Sequence, residues 1–217
     1  MAMLLELRDV AIAFTGRADR VSVIADRLDI GLRAGRMHCV TGGRGTGKTS
    51  VLRVATGLLR PTAGSVIWNG EELGTLSDDA VSSRRGGLVG YVDQQAALID
   101  ELSVLENVLL PAVPRRAAAA LGPRALDLLD EYGVAELAAL RPAELTAGER
   151  ARVAVVRSLL LEPPILVLDE PTANLDRAGA DELIALLLRL RANGAAILVA
   201  SQEQALIDAA DHRSTLG

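Results

Sequence analysis

The sequence predicts an α/β fold in which a mainly parallel sheet is flanked by helices and interrupted by an α-helical insertion near 95–160. Three observations carry that expectation. Short apolar runs of strand composition alternate with segments of helical apolar spacing. One such run, Met37–Thr41, passes directly into the glycine-rich stretch Gly42-Gly43-Arg44-Gly45-Thr46-Gly47-Lys48-Thr49 and then a helix. Another, Ile165-Leu166-Val167-Leu168, is apolar throughout, as a parallel strand buried on both faces requires, and ends in Asp169-Glu170.

Taken in order, Leu4–Val10 reads as a strand, followed by a polar loop over Thr15–Arg20 and a second strand from about Leu28 to Arg33. Met37–Thr41 is a short buried strand, and Lys48–Leu58 is a helix carried by Val51, Leu52, Val54, Ala55 and Leu58. Gly64–Asn69 alternates as a strand and closes on the turn pair Asn69-Gly70. Leu88–Val92 is again strand-like. From Ser103 to about Leu140 the pattern turns helical, with breaks expected at Pro111, Pro114 and Gly122-Pro123. Helices follow at Ala147–Leu161 and Arg177–Ala192, then a strand at Ala196–Ala200, a short helix, and a last strand ending at Leu216-Gly217. With 217 residues, no internal repeat and no low-complexity linker, the chain reads as one domain spanning 1–217.

Composition narrows the function. The net charge is −5 and no basic tract or aromatic ladder is present, which argues against nucleic acid as a partner. Aromatic residues make up only 2%, so Ala, Leu and Val must fill the interior. The one cysteine, Cys39, lies in an apolar run and reads as a small buried hydrophobe, in keeping with a reducing compartment. The start of the chain lacks the pattern of a secretory leader, and no apolar stretch approaches the roughly 20 residues of a membrane span. Any membrane role is therefore expected to run through a partner.

The glycine-rich stretch has the spacing of a P-loop, G-x-x-x-x-G-K-[ST]. Its backbone N–H groups can form a concave nest for phosphate oxygens, reinforced by the positive end of the following helix. Lys48 is the single lysine among 23 basic residues. A compact ammonium on a flexible stem is thus kept at the one place where a planar guanidinium would not replace it. Lys48 is expected to reach the β- and γ-phosphates, and Thr49 to ligate Mg²⁺. Asp169 is expected to hold the metal and Glu170 to orient or deprotonate the attacking water. A glycine-rich turn and an acidic strand cap are the plain alternatives, and their joint occurrence weighs against them.

Between these two elements lies Leu145-Thr146-Ala147-Gly148-Glu149-Arg150-Ala151-Arg152-Val153-Ala154, which resembles the signature sequence of ABC ATPases, L-S-G-G-[QE]-x-x-R-[VLI]-A. Gln94 falls where that family has its Q-loop glutamine, Leu102–Val108 where the helical subdomain begins, and Glu170–Asp176 where the D-loop lies. Phe14 falls where the family places an aromatic ring against adenine. The resemblance implies a P-loop NTPase with an N-terminal antiparallel β subdomain and an inserted helical subdomain. It implies ATP contacts from Phe14, from Gly42 through Ser50, from Gln94, and from Thr146, Ala147, Gly148 and Glu149, with Thr49, Gln94 and Asp169 at Mg²⁺. It further implies a head-to-tail dimer, homo- or heterodimeric, with ATP between P-loop and signature. A transmembrane permease partner would place the chain in the cytoplasm, peripherally at the inner face of the membrane. The run Leu105–Pro111 and the form of the D-loop look most like the lipoprotein-release, macrolide-efflux and cell-division group.

Two departures stand out. Ala147 occupies a position usually held by glycine, where a β-carbon would hinder close approach to phosphate or penalise a backbone angle. Gln202 stands where the family has its switch histidine; it can donate to a phosphate oxygen but cannot titrate. Locally, Ser201 and Gln204 could instead form a capping pair that opens a helix. The expected activity is ATP hydrolysis, with Glu170, Gln202 and Lys48 as its catalytic residues. An ATP-gated regulatory subunit with weak or no turnover is the alternative that Ala147 and Gln202 motivate. A soluble ABC ATPase acting on DNA or ribosomes fits less well, because the chain has neither a long insertion nor a second such domain.

Overall fold

The computed structural model describes residues 3–15 and 21–217, so most of the polar loop expected over Thr15–Arg20 lies outside the described residues. Two long strands open the chain, β1 (Met3–Thr15) and β2 (Val21–Arg33), each extending beyond the sequence expectation. They pair antiparallel, and β1 also pairs with β4 (Ala63–Trp68), which turns at Asn69-Gly70 into the short β5 (Glu71–Glu72). The order β2-β1-β4-β5 makes a four-stranded antiparallel sheet.

The second sheet is five-stranded, with order β6-β7-β8-β3-β9, where β3 is Met37–Thr41, β6 Val89–Val92, β7 Ile165–Asp169, β8 Ala196–Ala200 and β9 His212–Thr215. Its strand pairings are parallel. Because successive side chains point to opposite faces, β7 sends Leu166 and Leu168 into one core and Ile165 and Val167 into the other. β8 divides likewise, with Ile197 and Val199 on the first side and Leu198 and Ala200 on the second. A strand buried on both faces has no polar side to show, which is why these segments read as unbroken apolar runs.

One face is covered by α1 (Lys48–Ala55) and the antiparallel sheet. The other carries α3 (Val104–Leu109), α4 (Ala118–Glu131), α5 (Ala147–Leu159) and α6 (Arg177–Ala192). Trp68 is 1% exposed and donates its indole N–H to the Ala55 carbonyl at 2.9 Å, tying the antiparallel sheet to the end of α1.

Within the insertion, Pro111 and Pro114 break the helix as expected, leaving a 3₁₀ segment over Leu110–Arg115. The break expected at Gly122-Pro123 does not occur, since α4 runs through it. Pro123 and Ala119 both face outward, so the carbonyl that loses its proline N–H can turn to water. A helix that the sequence pattern did not disclose, α2 (Asp78–Leu88), precedes β6. Ser77 caps it, and it buries only Val81, so it lacks the apolar stripe by which a helix is recognised. α7 (Gln204–Ala209) follows β8.

Candidate functional site: a phosphate-loop cleft

The carboxyl ends of β3, β7 and β8 converge at one edge of the parallel sheet, which is where open α/β sheets place their ligand crevices. β3 releases the chain into the loop 42–47, and α1 starts at Lys48 with Gly47 as its cap in a left-handed conformation, φ 92°. A Cβ on Gly47 would run into the Ile24 side chain of β2, so glycine is required there for both angle and space. Gly42, with φ 150°, is equally constrained: its Cβ would lie 2.6 Å from the Thr46 hydroxyl and 2.8 Å from the Leu216 carbonyl. Thr46 braces the loop by donating to the Gly43 carbonyl at 3.0 Å.

Lys48 is 6% exposed, and its ammonium donates to the carbonyls of Gly42 at 2.8 Å and Gly43 at 2.9 Å. Glu170 lies 3.1 Å away, its side chain 11% exposed. Glu170 follows β7 with φ 45°, a left-handed angle that costs a non-glycine residue roughly 1 kcal/mol or more. Its backbone is fixed by donating to the Ala200 carbonyl at 2.9 Å, and its carbonyl accepts from Ala173 at 3.1 Å. Gln202 completes the cluster: its side-chain amide donates to Glu170 Oε1 at 3.0 Å and its backbone N–H to Oε2 at 3.3 Å. Three donors thus hold one carboxylate.

Asp169 ends β7 directly beneath, 1% exposed, with its Oδ1 buried and unpartnered. Burial is the main cause that pushes its carboxyl above the ordinary aspartate range, offset in part by a hydrogen bond from Thr49. An orphaned carboxylate oxygen beside a threonine hydroxyl is a donor set suited to a hard divalent cation.

These groups border a cleft of about 600 Å³ lined by Ile24, Arg44, Gly45, Gly47, Lys48, Thr49, Ser50, Gln94, Glu170, Ala173 and Gln202. Residues far apart in sequence are therefore gathered here, with Gly42, Gly43 and Thr46 in the loop behind them. Phe14 does not line the cleft; it lies on β1, 42% exposed, paired in register with Ser22. Thr146, Ala147, Gly148 and Glu149 are not part of the lining either. They form the start of α5, where Thr146 accepts from the Glu149 N–H and Glu149 accepts from the Thr146 N–H and hydroxyl, a reciprocal capping box.

Two departures resolve in part. Ala147 is absent from the positive-φ residues, so no backbone penalty attaches to it in this conformation. The alternative capping pair of Ser201 and Gln204 is not formed. Glu203 is the cap residue of α7 and provides no side-chain bond, while Ser201 accepts from the Glu203 N–H at 3.0 Å and Gln204 donates to Asp208. Cys39 is buried as expected, with its thiol pushed up to about 11 chiefly by burial. Ile24 and Ala173 also line the cleft; Ile24 belongs to the part of β2 that precedes the strand start expected at about Leu28.

Fold and cleft together define a P-loop nucleotide-binding protein of the α/β class. Comparison with known proteins makes the class specific. Residues 25–173 match the ABC transporter family. The chain is 36% identical over 210 residues, 95% of its length and 92% of the relative's, to the lipoprotein-releasing system ATP-binding protein LolD of Geobacter metallireducens. It is 37% identical over 177 residues, 81% of this chain and 75% of the other, to the LolD protein of Chromohalobacter salexigens. Among solved structures, the dimeric structure of a bacterial ABC transporter cassette superposes with TM-score 0.88 at 26% identity, covering 98% of this chain and 94% of that one. A post-hydrolysis ATP-binding cassette bound to ADP and Pi superposes with TM-score 0.85 at 25% identity, again over 98% and 94%. The chain belongs to the ABC transporter family, as an ATP-binding subunit with ATPase activity.

Proposed function

We propose that this chain is one cassette domain, 1–217, that binds ATP in the phosphate-loop cleft and drives a membrane permease by closing and reopening a head-to-tail dimer. The observation that carries this reading is the meeting of Lys48, Glu170 and Gln202 above the Asp169–Thr49 pair, at the mouth of a loop whose N–H groups suit phosphate oxygens. Lys48 and the loop from Gly42 to Ser50 hold the phosphates. Thr49 and Asp169, with Gln94 at the rim, hold Mg²⁺, which when bound offsets phosphate charge and polarises the phosphoryl oxygens. Glu170 accepts a proton from, or orients, the attacking water, and Gln202 fixes the carboxylate in place. Phe14, exposed on β1 outside the cleft lining, is the residue proposed to meet the adenine beyond it.

Thr146, Ala147, Gly148 and Glu149 act on the nucleotide of the opposite protomer, which agrees with their separation from the cleft of their own chain. The relatives' description as lipoprotein-releasing components favours that branch of the family for the cargo. Among the described residues no helix is long and apolar enough to cross a membrane, so attachment falls to a permease at the cytoplasmic face. Nothing in the fold or the comparisons favours the regulatory alternative. The test is steady-state ATP hydrolysis. Lys48→Ala and Glu170→Gln are each expected to lower turnover by about 100-fold or more, and retention of full activity in either would refute the assignment.

A further inference from the structure

We infer that the Arg44 side chain is the capture cation of the cleft, meeting the incoming polyphosphate before Lys48 does. The inference rests on the reading of the cleft as the ATP site and adds a side chain to what the loop backbone already supplies. An ammonium has three N–H donors. In Lys48 all three are engaged, by the Gly42 and Gly43 carbonyls and by Glu170 Oε1, at 2.8, 2.9 and 3.1 Å. Lys48 is also buried and its charge is offset by the adjoining carboxylate. Gln202, neutral where a cation could stand, has its amide committed to the same carboxylate.

Arg44 differs on each count. It lines the cleft, lies exposed in the loop, and makes no hydrogen bond or ion pair among the described residues. Its guanidinium has five donors in a planar fork that matches two phosphate oxygens at once. Arg44 is therefore the cation of the lining that can bind phosphate without first breaking a contact. Capture there brings the phosphates beside Lys48, whose ammonium then exchanges Glu170 for phosphate oxygen. That exchange releases the Glu170 carboxylate toward the attacking water. Arg44 thus acts in binding, with an indirect effect on the carboxylate that follows.

Stopped-flow association of a ribose-labelled fluorescent Mg-ATP tests this in the full chain. Near a ligand of charge about −2, removing one cation in Arg44→Ala is expected to slow association roughly five-fold at low salt, and Arg44→Glu more, with weaker salt dependence in both. Arg44→Lys keeps the charge without the fork, so association is expected to hold while dissociation quickens. Thermal melts of the three exposed-site variants should match the parent. Association in Arg44→Glu equal to the parent at low salt overturns the inference and leaves Arg44 a solvated loop residue. Lys48→Ala separates the two readings: if it still turns over ATP, the cleft assignment itself fails. If it is inactive while the Arg44 variants are indifferent, only the capture role fails.

Discussion

Gln202 sets the surroundings of Glu170, the proposed catalytic carboxylate. Its amide and its backbone N–H both point at Glu170, giving the carboxylate two neutral donors whose strength does not change with pH. Turnover of this chain should therefore lack an ionisation from position 202, whereas Gln202→His introduces a group with an ordinary value near 6.5. The expected outcome is a new inflection between about pH 5 and 8 in the turnover profile of Gln202→His, absent from the parent. Profiles that coincide across that range would show that position 202 does not act on the reacting centre. Lys48 and Glu170 were legible because the P-loop spacing and the acidic end of an apolar strand are local patterns. The engagement of Gln202 by Glu170 was not, since it joins residues separated by 32 positions through the pairing of β7 with β8.

Elements were legible where a local rule suffices. The [ST]-x-x-[DE] pattern of Thr146 and Glu149 is written within four residues, and the capping box it encodes is formed at the start of α5. α2 carries no sequence pattern of its own because it contributes almost nothing to the core, and Gly122-Pro123 does not end α4 because exposure makes a lost helix bond inexpensive. Asn107 shows a device that no local pattern discloses. Wholly buried in α3, it shares its two amide hydrogens among the carbonyls of Ile99, Leu102 and Ser103 and accepts from the Ile99 N–H at 2.7 Å. It therefore holds together the segment that leads from the cleft rim at Gln94 into the helices. Asn107→Leu should lower unfolding stability by about 3 kcal/mol, because it strands buried backbone groups as well as losing its own bonds. Chemical denaturation measures the loss, and hydrogen exchange should rise first over residues 95–103. A change below about 1 kcal/mol would show that water satisfies those groups instead.

At the scale of the whole molecule, the parallel sheet divides two cores, and its edge strand β9 is fastened on in part through the buried His38. His38 Nε2 lies 3.0 Å from the Ser214 hydroxyl, while His212 stands beside it in register with ring centroids 6.2 Å apart. Burial, and secondarily the charge of His212, lower His38 to about 4. Its unfolded value is near 6.5, so between those limits the unfolded chain binds more protons than the folded one. Stability should then rise with pH across that window and fall on acidification from about pH 6.5 to 4. By pH 4 this one group would account for a loss on the order of 3 kcal/mol. Urea midpoints measured from pH 7 to 4 check the slope, which His38→Asn should flatten.

The fastening of β9 has a practical side. Leu216 donates its N–H to the Thr41 carbonyl at 2.8 Å, and its own carbonyl borders Gly42, so the last described residues lie against the first glycine of the phosphate loop. Anything that displaces Leu216, such as a bulky group joined close to Gly217, therefore presses on the base of the phosphate loop at Gly42.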